Sequence, residues 1–183
     1  MEVSPDGRTI YFGRYESYEH DRMNLGVISL DANGLPVEIR YFRDCTEDLQ
    51  LSSSQAGGIS GKSSVVKIVL DTSRTIKKLY LAVVANGFQS KFAANERSHL
   101  SIYDIGQDGF PISNSLVSFP SPISDISGNV RSLYSFAITN NKIYLVGFGD
   151  DAVWVCGLDP NTGQPVDPHR QPVNTNAVLP ATP

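Results

Sequence analysis

The chain has 183 residues, 40% hydrophobic and 19% charged, with a formal net charge of −4. That length allows one domain or two small ones, and the balance is that of an ordinary globular chain rather than a disordered one. The mild acidity, with no Lys/Arg cluster to neutralise phosphates, argues against a nucleic-acid surface, and no apolar run reaches the roughly 20 residues of a membrane helix.

Taken in chain order, the sequence is punctuated by tight turns between short apolar strands. Ser4-Pro5-Asp6-Gly7 is a turn that leads into the strand Thr9-Ile10-Tyr11-Phe12. A long connection, Tyr15 to Asn24, precedes the strand Gly26–Ser29. That strand runs into Leu30-Asp31-Ala32-Asn33-Gly34-Leu35-Pro36-Val37, whose Asn-Gly suits a positive φ and whose Pro suits an edge strand. A second long connection, Asp44 to Lys62, leads to Val65–Leu70, the turn Asp71-Thr72-Ser73, and the strand Lys78-Leu79-Tyr80-Leu81. A third, Asn86 to Ser98, leads to Leu100–Tyr103 and to Ile105–Ile112, which matches Leu30–Val37 position for position. After a fourth, Pro120 to Val130, come Leu133–Ile138, the turn Asn140-Asn141, Lys142-Ile143-Tyr144-Leu145, Val153–Cys156 and a third hairpin, Leu158–Val166, one residue longer.

The order strand, tight turn, strand, long connection, strand, tight turn, strand therefore occurs three times, and four antiparallel strands make one blade of a β-propeller. The tyrosine anchors Tyr11, Tyr80 and Tyr144 lie 69 and 64 residues apart, and the glycine anchors Gly34, Gly109 and Gly163 lie 75 and 54 apart. Such uneven spacing places the length variation in the connections. No sustained i, i+3, i+4 apolar pattern predicts a helix. The expected fold class is all-β: about three propeller blades over residues 1–170 (1–45, 62–120 and 130–170), with a Pro/Asn/Thr-rich tail or linker at 171–183. Three blades are fewer than the four to eight of typical rings, so an incomplete ring or part of a larger propeller is expected.

Long connections on a rigid scaffold are where binding residues gather, and here they share the face opposite the tight turns. The densest is Arg14 to Arg22. Glu16, Glu19 and His20 are candidates for general acid and base, Arg22 for holding a carboxylate or phosphate, and Tyr15 and Tyr18 for ligand contact. Lys91, Arg97 and His99 form a second cluster expected to face it across neighbouring blades. The plainer account of both is solvated charged loops. Ala56-Gly57-Gly58-Ile59-Ser60-Gly61-Lys62-Ser63 fits a relaxed phosphate-loop pattern, but a β-branched strand follows it where that loop needs a helix, so it reads as a Gly/Ser connection. Cys45 and Cys156 have no CxxC spacing, and His20, His99 and His169 form no HExxH or HxH pattern. Asp150-Asp151 is too short for a calcium loop, so no metal or cofactor is expected.

The segment Val3-Ser4-Pro5-Asp6-Gly7-Arg8-Thr9-Ile10-Tyr11-Phe12 resembles the repeat opening of the lactonase-like and YVTN-type β-propellers, and the downstream hairpins resemble their strand–Asp-x-x-Gly element. The resemblance implies blades, and it implies a family that includes 6-phosphogluconolactonase and muconate-cyclising enzymes beside surface and binding proteins. No catalytic motif of those enzymes maps onto this chain. The expected function is a binding or scaffold module within a larger protein. Its partner would be a protein, a carbohydrate, or remaining blades of the same or another chain. The alternatives are a lactonase-like hydrolase or cyclising enzyme, and self-assembly through open blade edges. The N-terminus lacks the basic-then-apolar pattern of a signal peptide, so the chain reads as soluble, with a secreted or cell-surface setting if a leader precedes it.

Overall fold

Short side-chain hydrogen bonds set the turns, and the turns set the strand register. The computed structural model describes residues 1–13, 25–42, 62–86, 98–120, 133–139, 141–147 and 152–172. In the first turn the Ser4 hydroxyl donates to Asp6 Oδ1 (2.6 Å) and accepts from the Thr9 amide (2.8 Å), and Gly7 takes φ +70°. The hairpin at Gly34 is held by Asp31 Oδ1, which accepts from the amides of Asn33 and Leu35. The hairpin at Gly163 repeats this with Asp159, which accepts from the amides of Asn161 and Thr162. These are aspartate turns, spelled Asp-x-x-Gly at Asp31–Gly34 and with one more residue at Asp159–Gly163.

The strands so connected form three four-stranded antiparallel sheets. Sheet 1 contains β1 (Glu2–Val3), β2 (Thr9–Gly13), β3 (Leu25–Leu30) and β4 (Pro36–Phe42), in that spatial order. Sheet 2 contains β5 (Lys62–Asp71), β6 (Lys78–Asn86), β7 (Ser98–Asp104) and β8 (Val117–Pro120). Sheet 3 contains β9 (Leu133–Thr139), β10 (Lys142–Gly147), β11 (Ala152–Leu158) and β12 (Pro165–Pro172). The three-fold repeat is thus a repeat of blade-like sheets, each a simple up-and-down meander.

The first sheet has the first strand that the repeat requires, the two-residue β1, which pairs Glu2 with Tyr11 and Val3 with Ile10. One detail departs from the sequence reading. In the second hairpin the return strand does not start at Pro111. Pro111 makes only an isolated bridge with Ile105, although the prolines at the same place in the other two hairpins, Pro36 and Pro165, begin β4 and β12. A 3₁₀ turn, Ser113–Ser115, follows before β8 begins. The Ser115 hydroxyl accepts from the Asp104 amide and donates to the Ile112 carbonyl, holding that turn against the end of β7.

Period-two alternation gives the middle sheet two buried faces. Along β6, Leu79, Leu81 and Val83 face sheet 1 and join Tyr11, Leu25, Val27 and Phe42 in one core. Tyr80 and Ala82, alternating with them, face sheet 3 and join Leu133, Phe136, Ile143 and Leu145 in a second. The sheets therefore stack face to face as propeller blades do, each core made by two neighbours. Leu81 is fully buried in the first core. Leu81→Ala is expected to cost about 2–5 kcal/mol of unfolding free energy, read as a lower urea midpoint.

Candidate functional site

The three sheets meet through one repeated polar contact at their tight-turn end. Tyr11, on β2, donates its hydroxyl to the carbonyl of Gly109 in the β7–β8 hairpin, at 2.7 Å. Tyr80, one blade on, donates to the carbonyl of Gly163 in the β11–β12 hairpin, at 2.8 Å. Each latch joins the second strand of one blade to the last turn of the next. The apolar ring lies in the core between the sheets, and the hydroxyl reaches a carbonyl that would otherwise be left without a donor.

Glycine is required at these turns for two separate reasons. Gly109 and Gly163 have φ of +83° and +73°, where other residues are strained. A Cβ at Gly109 would also sit 2.5 Å from Thr9 Oγ1, and one at Gly163 would sit 2.7 Å from the Tyr80 hydroxyl. Gly34, at the same place in the first blade, has φ +80° but would meet nothing within 4 Å. The close approach therefore comes from the neighbouring blade, while the backbone conformation belongs to the turn itself.

The second interface carries an added staple. Arg74 donates Nε to Asp71 Oδ2 at 2.9 Å and one terminal nitrogen to the carbonyls of Asp159 (2.8 Å) and Pro160 (3.1 Å). Burial alone would raise the pKa of Asp71, but hydrogen bonds from Ser73 and Arg74 outweigh it and hold the carboxyl below its ordinary value. In the first interface Gly7 stands at the corresponding turn position, three residues after Ser4 as Arg74 is after Asp71. A cleft of about 260 Å³ remains there, between Asp6, Arg8, Tyr11, Lys77, Asp108 and Gly109.

The charges of this cleft suit turn architecture rather than proton transfer. Hydrogen bonds from Ser4 and the Arg8 amide hold the Asp6 carboxyl below its ordinary value. Asp108 accepts from the Phe110 amide. Burial, and then the charge of Asp6, push the Tyr11 hydroxyl up to about 12. Near neutrality Asp6 is thus ionised and Tyr11 keeps its proton, so neither is poised to exchange one. Burial likewise pushes the Cys156 thiol up to about 11, which makes it a poor nucleophile. Among the described residues no group of three or more His, Cys, Asp or Glu gathers as a metal site.

The residues singled out from sequence fall elsewhere. Tyr15, Glu16, Tyr18, Glu19, His20 and Arg22 belong to the β2–β3 connection, and Lys91 and Arg97 to the β6–β7 connection; all lie outside the described residues, as do Cys45 and the glycine-rich segment 56–61. His99 lies on β7, its backbone opposite Val83 and Pro120. The topology does place the ends of β2, β3, β6 and β7 that bound these connections away from the latched turns. Sequence reasoning picked out the tyrosine and glycine anchors as repeat marks but missed that they are partners. The signal was their paired recurrence, a tyrosine in each second strand and a glycine in each last turn.

An all-β stack of four-stranded antiparallel sheets joined in this way is the arrangement of β-propeller-like blades. The chain is similar in structure to the periplasmic gluconolactonase PpgL of Pseudomonas aeruginosa, with a TM-score of 0.56 and 14% sequence identity. The likeness covers 92% of this chain and 37% of that one, so the chain spans little more than a third of its solved neighbour. No protein-family model matches the sequence, and no curated protein matches it. No helix among the described residues is long and apolar enough to cross a membrane.

Two predictions follow from the latch. Gly163→Ala is expected to destabilise the fold by about 2–4 kcal/mol, combining φ strain with the clash on Tyr80, whereas Gly34→Ala meets only the φ strain of about 1 kcal/mol; urea unfolding of the two variants reads the difference. The second concerns pH. Burial pushes Tyr80, like Tyr11, from 10.0 up to about 12. A folded-state value above the unfolded one means that the stabilisation is complete below pH 10 and is lost as pH rises towards 12. Tyr80→Phe is therefore expected to lose less stability than the wild type between those pH values.

Proposed function

We propose that the chain is a β-propeller binding or scaffold module that supplies three blades to a larger ring and docks a partner on its long-connection face. What supports this reading is the division of labour between the two ends of the sheets. The tight-turn end is taken up by latches and an arginine staple that serve blade-to-blade contact, and by aspartate turns that close the hairpins. The opposite end carries the connections 14–24, 43–61, 87–97 and 121–132, long segments with the ionisable and aromatic residues that recognition uses. Tyr15, Tyr18, Lys91, Arg97 and His99 are the residues proposed to contact a carbohydrate or protein partner. A ring in which these three sheets are only part also fits the share of the gluconolactonase that they match.

The second reading is a lactonase-like enzyme, favoured by the structural likeness to a gluconolactonase. In it Glu16, Glu19, His20 and Arg22 would be the reacting groups, with others supplied from further blades. Glucono-1,5-lactone hydrolysis separates the two. The binding reading expects the purified chain to leave the spontaneous rate unchanged, while neutral and acidic oligosaccharides on an array are retained and Tyr15→Ala with Tyr18→Ala loses that retention. Acceleration of lactone hydrolysis that Glu19→Gln or His20→Ala removes would overturn the binding reading in favour of the enzyme.

A further inference from the structure

The two outer faces of the stack are the two halves of the contact that the chain already makes twice within itself. On the first sheet, Ile10, Ile28 and Ile39 form one cross-strand row and Phe12, Gly26 and Tyr41 the next, on the side away from sheet 2. Ile39 and Tyr41 are 51% and 43% exposed, and Leu35 beside them is 61% exposed. The residues in the same places on later blades are buried by the blade before them. Leu79 and Ile143 match Ile10, and Leu81 and Leu145 match Phe12; all four are fully buried. Phe110, which matches Leu35, is 5% exposed.

The last sheet shows the opposite half. Tyr144 pairs with Val155 and Val146 with Val153, as Tyr80 pairs with Ile102 and Ala82 with Leu100. The set on sheet 2 is at most 3% exposed, whereas Val146 is 38% exposed and Tyr144, Val153 and Val155 are half-buried. The latch is cut at the same two places. Tyr144 stands where Tyr11 and Tyr80 stand, but no described group accepts its hydroxyl. Gly34 stands where Gly109 and Gly163 stand, with φ +80° and open space around it, and no described group donates to its carbonyl.

We propose that a second copy of this chain covers both faces, sheet 3 of each packing on sheet 1 of the other, with Tyr144 donating to the Gly34 carbonyl across both junctions. The proposal rests on the propeller reading above and commits to the occupant of its open ends. One molecule carries both complementary halves, so a head-to-tail contact that closes needs no other component. Each copy adds three sheets; rings typically have four to eight blades, so two copies, giving six, are the number that fits. The surface is apolar where the internal contacts are apolar, and its one polar pair is the pair that both internal junctions use.

Sedimentation velocity with light scattering tests this on the chain as it is. The expected result is a discrete species of twice 20.0 kDa with no ladder above it. Tyr144→Phe, which removes one hydrogen bond at each of two junctions, should weaken dimerisation about tenfold or more. Ile39→Glu, at an exposed site in the single chain, should abolish it while leaving circular dichroism unchanged. A species that stays monomeric at about 100 µM, an open-ended ladder, or a dimer indifferent to both substitutions would each overturn the proposal. Burial of these faces only by a different polypeptide would overturn it too, while leaving the binding module intact. Conversely, a dimer that retains no oligosaccharide would uphold the pairing and sink the proposed function alone.

Discussion

A four-stranded sheet with both faces apolar cannot be stable by itself, and this constraint governs the rest of the structure. Leu79, Leu81 and Val83 point to one side of β6, and Tyr80 and Ala82 to the other. Neither side reaches water, so sheet 2 exists as folded only with a neighbour on each face. At about 25 cal/mol per Å² of apolar surface, this burial is the main term holding the blades together. It is also non-directional: apolar faces alone would tolerate sliding of one sheet over the next.

The tyrosine latch supplies the direction that burial lacks. A hydroxyl must meet one carbonyl, and that carbonyl belongs to a turn whose glycine allows close approach. Sliding by a residue would leave both polar groups buried and unpaired, at about 1–3 kcal/mol each. Arg74 tightens the same end of the second interface, and the first makes do with the cleft around Asp6 and Asp108. Register between blades is thus set at the tight-turn end, which leaves the far end free to vary in length. This separation explains why spacing along the chain is uneven while the sheets repeat.

Most of the fold could be read before any coordinates, because local chemistry determines it. Asp31, Asn33 and Gly34 spell a turn through hydrogen bonds and φ preferences that act over four residues, and the alternating strands beside it need only their period. What local chemistry does not carry is the partnership between blades. Tyr11 and Gly109 are 98 positions apart, and nothing within either segment names the other. The 3₁₀ turn at Ser113–Ser115 was hidden by the ordinary look of its residues. Of the candidate site, sequence supplied the residue types Glu16, Glu19, His20 and Arg22, but their mutual geometry depends on connections without turn or strand signals.

Adjacent blades are coupled through tyrosine and glycine as well as by apolar contact. A double-mutant cycle of Tyr80→Phe and Gly163→Ala, measured by urea unfolding, tests this coupling most directly. The clash on Tyr80 exists only while its hydroxyl is present, so the account predicts that the two costs fail to add, with a coupling of about 1 kcal/mol or more. Costs that add to within about 0.3 kcal/mol would contradict it, because the two residues would then act independently.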